Sequence, residues 1–181
     1  MEKGVYSPRE DSLLLASAMD FPPGASVLDM GTGTGFLAGE AAKKGAGRIV
    51  AVDISERALE FAGKETEKSK IKNIEFRLSD LFSEVPEKFD VIIFNPPYVP
   101  SEGIKYRDVD GGKKGREVLD RFLREMPGHL NENGICYFLQ SSLNGIQQTE
   151  KLLKKMNFSF EIAARKKLFF EGLVVFRAGK P

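Results

Sequence analysis

Apolar and polar positions along the chain fall into two alternating periods. Residues 26–30, 49–52, 74–78 and 91–94 are short runs rich in β-branched and aromatic side chains, the pattern of strands. Between them lie segments with the 3.6-residue period of helices: residues 8–19, the stretch after the glycines at 31–35 up to residue 44, and residues 55–68. The second half continues with a helix striped by Val118, Leu119, Phe122 and Leu123, a strand over 134–140 and a helix over 143–156. Residues 158–167 and 172–176 close the chain as an antiparallel pair. Strands alternating with helices predict an α/β fold: a Rossmann-like, seven-stranded, mostly parallel sheet with one antiparallel strand and helices on both faces.

Composition narrows this little. A chain of 181 residues with 41% hydrophobic residues suits one domain spanning 1–181, with no linker or repeat. A formal charge of +1 gives no electrostatic case for nucleic acid or membrane binding. No leader sequence is evident at Met-Glu-Lys-Gly, and no apolar run approaches the ~20 residues of a membrane helix, so a cytoplasmic location is expected. Cys136 is the only cysteine and His129 the only histidine, which excludes an intrachain disulfide and disfavours a zinc site. Cys136 sits in an apolar strand and reads as core. His129 falls near a helix end, where a capping or surface role is expected.

The sharpest chemistry follows the fourth strand, where the apolar run Val91-Ile92-Ile93-Phe94 stops at Asn95-Pro96-Pro97-Tyr98. Proline supplies no ladder N–H, so two in succession end a central strand in a rigid turn. Open α/β sheets bind ligands at such carboxyl ends. Asn95 Oδ1 and the Pro96 carbonyl are two fixed acceptors for the two hydrogens of a planar NH₂ group, and Tyr98 offers an aromatic face to its plane.

Three other strand ends carry matching groups. Asp29-Met30-Gly31-Thr32-Gly33-Thr34-Gly35 is a glycine turn opening a helix, spaced Gly-x-Gly-x-Gly rather than in the dinucleotide pattern. Asp53 ends the second strand, where its carboxylate suits the two hydroxyls of a ribose, or else caps the helix starting near Ser55. Asp80 follows the third strand and suits an adenine amino group, with Leu81 or Phe82 packing on the ring; it also suits an ordinary turn. Together these groups match the methionine, ribose and adenine parts of one nucleoside.

At the amino terminus Ser7, Pro8 and Glu10 form a capping box, which leaves Tyr6, Asp11 and Ser12 unexplained and available to cover a cofactor. Gly111 to Gly115 reads as a flexible loop facing the strand ends. Lys113, Lys114 and Arg116 read as a solvated face or, beside a cleft, as contacts to a partner.

With these residues in view, the chain resembles the class I S-adenosylmethionine-dependent methyltransferases that modify planar amino groups, through Asp29-x-Gly31-x-Gly33-x-Gly35, Asp53, Asp80 and Asn95-Pro96-Pro97-Tyr98. Val5-Tyr6-Ser7-Pro8-Arg9-Glu10-Asp11-Ser12 and Gly111-Gly112-Lys113-Lys114-Gly115-Arg116-Glu117 further resemble the eukaryotic and archaeal branch of the HemK-type family. The N-terminal helical domain of the bacterial relatives has no counterpart here, which favours that branch. The resemblance implies methylation of the glutamine amide in the Gly-Gly-Gln loop of a class I release factor. Asn95, Pro96 and Tyr98 would be catalytic, with Pro97 beside them in holding the substrate. Asp29, Gly31, Gly33, Gly35, Asp53, Asp80, Leu81 and Asn95 would hold S-adenosyl-L-methionine, without metal. It also implies a small zinc-binding activator subunit, expected at the third strand as a sheet edge, where Ile74, Phe76 and Leu78 alternate with polar residues. Rival readings are an adenine amino methyltransferase acting on DNA or RNA, a protein-lysine methyltransferase, and a non-catalytic cofactor-binding scaffold.

Overall fold

A computed structural model of the chain describes residues 10–100 and 110–180. The expected Ser7–Glu10 capping box and Tyr6 therefore fall outside the described residues, apart from Glu10 itself. The chain runs α1 (Glu10–Ala18), β1 (Ser26–Met30), α2 (Phe36–Lys43), β2 (Arg48–Asp53), α3 (Glu56–Lys68), β3 (Ile74–Leu78), β4 (Phe89–Phe94), α4 (Glu117–Glu125), β5 (Leu130–Ser141), α5 (Ile146–Lys155), β6 (Ser159–Lys167) and β7 (Gly172–Gly179).

The seven strands form one sheet in the order β3-β2-β1-β4-β5-β7-β6. All neighbours pair in parallel except β7, which runs antiparallel to both β5 and β6. The expected architecture is borne out, including its single antiparallel strand. Strand order reverses between β1 and β4, so the carboxyl ends of these two central strands flank the crevice in which doubly wound sheets take up ligands. Met30 and Phe94 are register partners there.

Burial on both faces explains the unbroken apolar runs of β1, β2 and β4. On one face Val27, Ile49, Ala51, Val91 and Ile93 pack with Leu15 of α1 and Leu37, Ala38 and Ala41 of α2. On the other, Leu28, Val50, Ile92 and Phe94 pack with Leu119, Phe122 and Leu123 of α4 and Leu153 of α5. Cys136 lies in this second layer, fully buried, and burial alone raises its thiol pKa.

Three boundaries differ from the sequence reading by three residues or more. Strand β5 starts at Leu130 rather than 134, because its first residues pair with Phe89 through an irregular register. Residues Ser142–Asn144 form a 3₁₀ turn, capped by Ser141 Oγ accepting from the Leu143 N–H at 3.2 Å, so α5 begins three residues later than 143. Strand β7 continues past Phe176 to Gly179, pairing with β5 from Leu173 to Gly179.

Candidate active site

The glycine turn after β1 is built as its spacing requires. Gly31, Gly33 and Gly35 have φ of +63°, +55° and +77°, values that a side-chain-bearing residue adopts only under strain. A Cβ on Gly33 would meet nothing nearer than 4.0 Å, so open space remains over the middle of the turn, whereas one on Gly35 would lie 3.0 Å from Ala62 Cβ. The turn is pinned from below: the Thr32 N–H donates to the Val52 carbonyl at 2.8 Å and the Gly33 N–H to Asp53 Oδ2 at 2.9 Å.

Asp29 is fully buried beneath this turn. Its Oδ2 accepts from Thr32 Oγ1 at 2.6 Å and from the Ala38 N–H at 3.0 Å, in the first turn of α2. Its Oδ1 is buried with no hydrogen-bond partner. Burial pushes its pKa up to about 7, opposed by the Thr32 and Ala38 hydrogen bonds and aided by the neighbouring Asp53 charge.

Asp53 is not the cap of α3. Ser55 takes that position, its hydroxyl accepting from the Ala58 N–H, while Asp53 Oδ1 accepts from the Ser55 N–H at 2.9 Å. Its carboxylate thus ties the end of β2 to the glycine turn after β1. Asp80, half exposed, pairs with Arg121 across 3.2 Å. Leu81 is buried at φ +51° in the same turn. Phe82, the other residue considered for packing on an adenine ring, is committed elsewhere: it stacks on His129 at 4.3 Å and on Phe122 at 5.5 Å. His129 follows the short 3₁₀ turn after α4, as its sequence position implied, and its Nδ1 lies 3.2 Å from the Glu87 carbonyl.

Asn95 stands directly beyond β4, across from this turn. Its Nδ2 donates to Asp11 Oδ2 and to Ser12 Oγ, each at 3.3 Å, while its Oδ1 is buried without a partner. Asp11 and Ser12, unexplained by the capping pattern, are both buried against Asn95. No sequence spacing links position 11 to position 95; only the helix α1 crossing the sheet brings them together.

Gly111 to Gly115, expected as a flexible loop, is tied down by backbone hydrogen bonds. The Gly111 N–H donates to the Val99 carbonyl at 2.9 Å, and the Gly115 N–H to the Gly112 carbonyl at 2.8 Å. Arg116 is also not a solvated charge: it is 4% exposed and ion-paired with Asp120 at 2.7 Å. Lys113 and Lys114 are exposed, as a solvated face requires. Apolar helix positions revealed α4, but the sequence carried no signal that the arginine before it turns inward.

Among the described residues, the buried side-chain atoms without partners are Asp29 Oδ1, Asn95 Oδ1, Gln140 Oε1 and Asn144 Oδ1. All four are acceptors, on or just beyond the carboxyl-terminal halves of β1, β4 and β5. Each such orphan costs ~1–3 kcal/mol unless a donor arrives. On this rim, Asp29 Oδ1 and Asn95 Oδ1, at the carboxyl ends of β1 and β4, are the two that flank the crevice.

A family model described as methyltransferase small domain matches residues 1–170. The chain belongs to that family. It is an S-adenosylmethionine-dependent methyltransferase of the HemK type. A protein of Methanocaldococcus jannaschii, provisionally named a protein N5-glutamine methyltransferase, is 47% identical over 96% of this chain and 91% of its own. The human methyltransferase HEMK2 is 30% identical over 83% of this chain and 78% of its own. Among solved structures, the Mtq2–Trm112 complex of E. cuniculi, described as responsible for methylation of the termination factor eRF1, matches with a TM-score of 0.80. It is 28% identical over 98% of this chain and 99% of that one. Among the described residues no helix is long and apolar enough to cross a membrane, and no group of three His, Cys, Asp or Glu could hold a metal.

The residues present fit the cofactor. An open glycine turn, a buried unpartnered carboxylate oxygen at Asp29 and acidic groups at the ends of β2 and β3 suit a nucleoside that carries an amino acid.

Proposed function

We propose that this methyltransferase N-methylates the glutamine side-chain amide in the Gly-Gly-Gln loop of a class I translation release factor, in the cytoplasm. The observation that carries this reading is the Asn95 amide. With its NH₂ turned to Asp11 and Ser12, its buried Oδ1 is left as an acceptor for a substrate N–H. The names of the relatives support a glutamine amide over an adenine or a lysine.

In this reading Asp29, Gly31, Gly33, Gly35, Asp53, Asp80 and Leu81 hold the cofactor. Bound S-adenosyl-L-methionine supplies an activated methyl group, so that no nucleophilic side chain is needed. Asn95 Oδ1 and the Pro96 carbonyl accept the two N–H bonds of the glutamine amide, which fixes the plane of its nitrogen. Held in this way, the nitrogen can twist from conjugation with its carbonyl and present a lone pair. Tyr98, half buried against the α1-side core, supports that plane, and Pro97 keeps the turn rigid.

A small zinc-binding activator subunit is proposed at β3. That strand is a sheet edge, and Leu78 at its carboxyl end and the nearby Ile54 are 44% and 43% exposed.

The test is transfer of labelled methyl from S-adenosylmethionine to a purified class I release factor, with and without the activator, comparing Gly-Gly-Gln with Gly-Gly-Ala. Label on the glutamine form alone is expected. Equal label on both forms, or none with cofactor bound and activator present, overturns the reading and directs attention to lysine or nucleic acid acceptors.

A further inference from the structure

Beyond the residues that touch ligands, one buried side chain joins both loops of the rim. Asn144 closes the 3₁₀ turn after β5 and is 2% exposed. Its Nδ2 donates to two carbonyls on separate loops, Tyr98 at 3.0 Å and Lys114 at 3.1 Å. Both amide hydrogens are used, so the side chain is a strut between the Asn95–Tyr98 turn and the 110–116 loop.

The strut is itself anchored. The Asn144 backbone carbonyl accepts from Arg116 Nη1 and from Gln140 Nε2, the latter at 2.8 Å. The same guanidinium donates to the Gly145 carbonyl at 3.0 Å, to Thr149 Oγ1 at 3.1 Å and to Asp120 at 2.7 Å. A planar fork with five donors can meet this many acceptors at once; an ammonium cannot.

Glycine geometry shows how closely the parts fit. A Cβ on Gly115, at φ +65°, would lie 2.1 Å from Asn144 Nδ2 and 2.3 Å from the Tyr98 carbonyl oxygen. One on Gly111 would lie 2.7 Å from the Pro97 carbonyl oxygen. The loop thus lies backbone to backbone against the proline turn, and Asn144 spans the contact.

We propose that Asn144 and Arg116 are positioning residues for methyl transfer. Acting through Tyr98 and the glycine loop, they hold the Pro96–Pro97 backbone where its acceptors meet the substrate nitrogen. This rests on the function proposed above. A misplacement of ~1 Å at a reacting centre costs on the order of 10²-fold in rate, and such a turn has no regular ladder to fix it.

The test compares wild type, Asn144→Ala and Arg116→Lys in three measurements: S-adenosylmethionine affinity by calorimetry, steady-state methyl transfer to the release factor, and amide hydrogen exchange at Tyr98 and Val99 and over 110–117. Both variants should keep cofactor affinity within about twofold and lose about 10- to 100-fold in kcat per folded enzyme, with Arg116→Lys the milder. Exchange should quicken at Gly111, Gly115 and Glu117 and stay unchanged in β1 and β2. Unchanged exchange, or quickened exchange with wild-type kcat, overturns the proposal. Should Asn144→Ala fail to fold, Arg116→Lys decides by the same criteria. Should wild-type enzyme label no release factor, the substrate reading falls, and exchange, which needs no acceptor, still decides whether Asn144 and Arg116 hold the loop.

Discussion

Asn95 Nδ2 lies 3.3 Å from Asp11 Oδ2, and this contact sets which way the Asn95 amide faces. An ionised carboxylate only accepts, so the NH₂ must turn toward it and the carbonyl oxygen must turn away. Asparagine at position 11 would remove that rule, because its own amide can either donate or accept. Asp11→Asn should therefore lower kcat by about 10- to 100-fold, with cofactor affinity close to wild type, measured by single-turnover transfer and calorimetry. Ser12→Ala, which leaves the carboxylate in place, should cost only a few-fold.

Removing the acceptor itself should cost more. Asn95→Ala should bind S-adenosylmethionine and lose turnover by about 10²–10³-fold, the usual result of deleting one preorganised polar group at a reacting centre. Wild-type turnover in this variant would take Asn95 out of the mechanism.

These two residues also mark the limit of what the sequence alone reveals. Asn95-Pro-Pro-Tyr is legible because an apolar run ending in two prolines has few structural explanations. The glycine turn is legible because three positive-φ positions leave a spacing. The mostly parallel sheet followed from strand–helix alternation and its antiparallel pair from the short connection between β6 and β7, whereas the strand order is seen only in the fold. Asp11 reads in the sequence as available to cover a cofactor and Arg116 as a surface charge or partner contact, while Asn144 carries no signal; the contacts that give all three their places were not legible. Their roles arise from contacts 84, 28 and 46 residues apart, which no periodicity encodes. The glycine-rich segment 111–115 looked flexible for a related reason. Composition shows what glycine permits, whereas the fold uses it for close approach to Pro97 and Tyr98.

Asp29 should make cofactor binding depend on pH. Its pKa, raised by burial to about 7 from 3.8, means that the fold favours the protonated acid. This contributes stability that is complete below about pH 4 and is lost as pH rises to about 7. A cationic ligand group beside Oδ1 favours the anion instead, so binding below pH 7 expels a proton. Affinity for S-adenosylmethionine should rise about tenfold from pH 6 to a plateau near pH ~8. Calorimetry in buffers of different ionisation heat would count the released proton. Asp29→Asn should bind more weakly and show no such rise; an unchanged profile in that variant would assign the dependence to another group.

The β3 edge yields the last prediction. Arg77 projects from this strand and bridges Glu75 and Glu87, with Glu87 Oε2 at 2.9 Å, and Arg48 on β2 joins the same two carboxylates. The Arg77 guanidinium holds the Glu87 carboxyl down at about 2, so this network stays charged at any physiological pH. Such charges discourage unselective pairing at an edge but leave its main-chain groups open to a matched partner. Leu78, exposed beyond the network, is the apolar contact on offer. Leu78→Lys should leave the melting temperature within a few degrees of wild type, since little apolar surface is lost, and should abolish co-purification with the activator subunit when both are co-expressed. Exposed ion pairs contribute only ~0–1 kcal/mol each, so Glu87→Gln should alter stability slightly. Its effect should be complete above pH ~4.5, where the carboxylate is ionised in the folded and the unfolded chain alike, and vanish as the pH falls toward 2. A Leu78→Lys chain that still binds the activator with wild-type affinity would move the docking surface off β3.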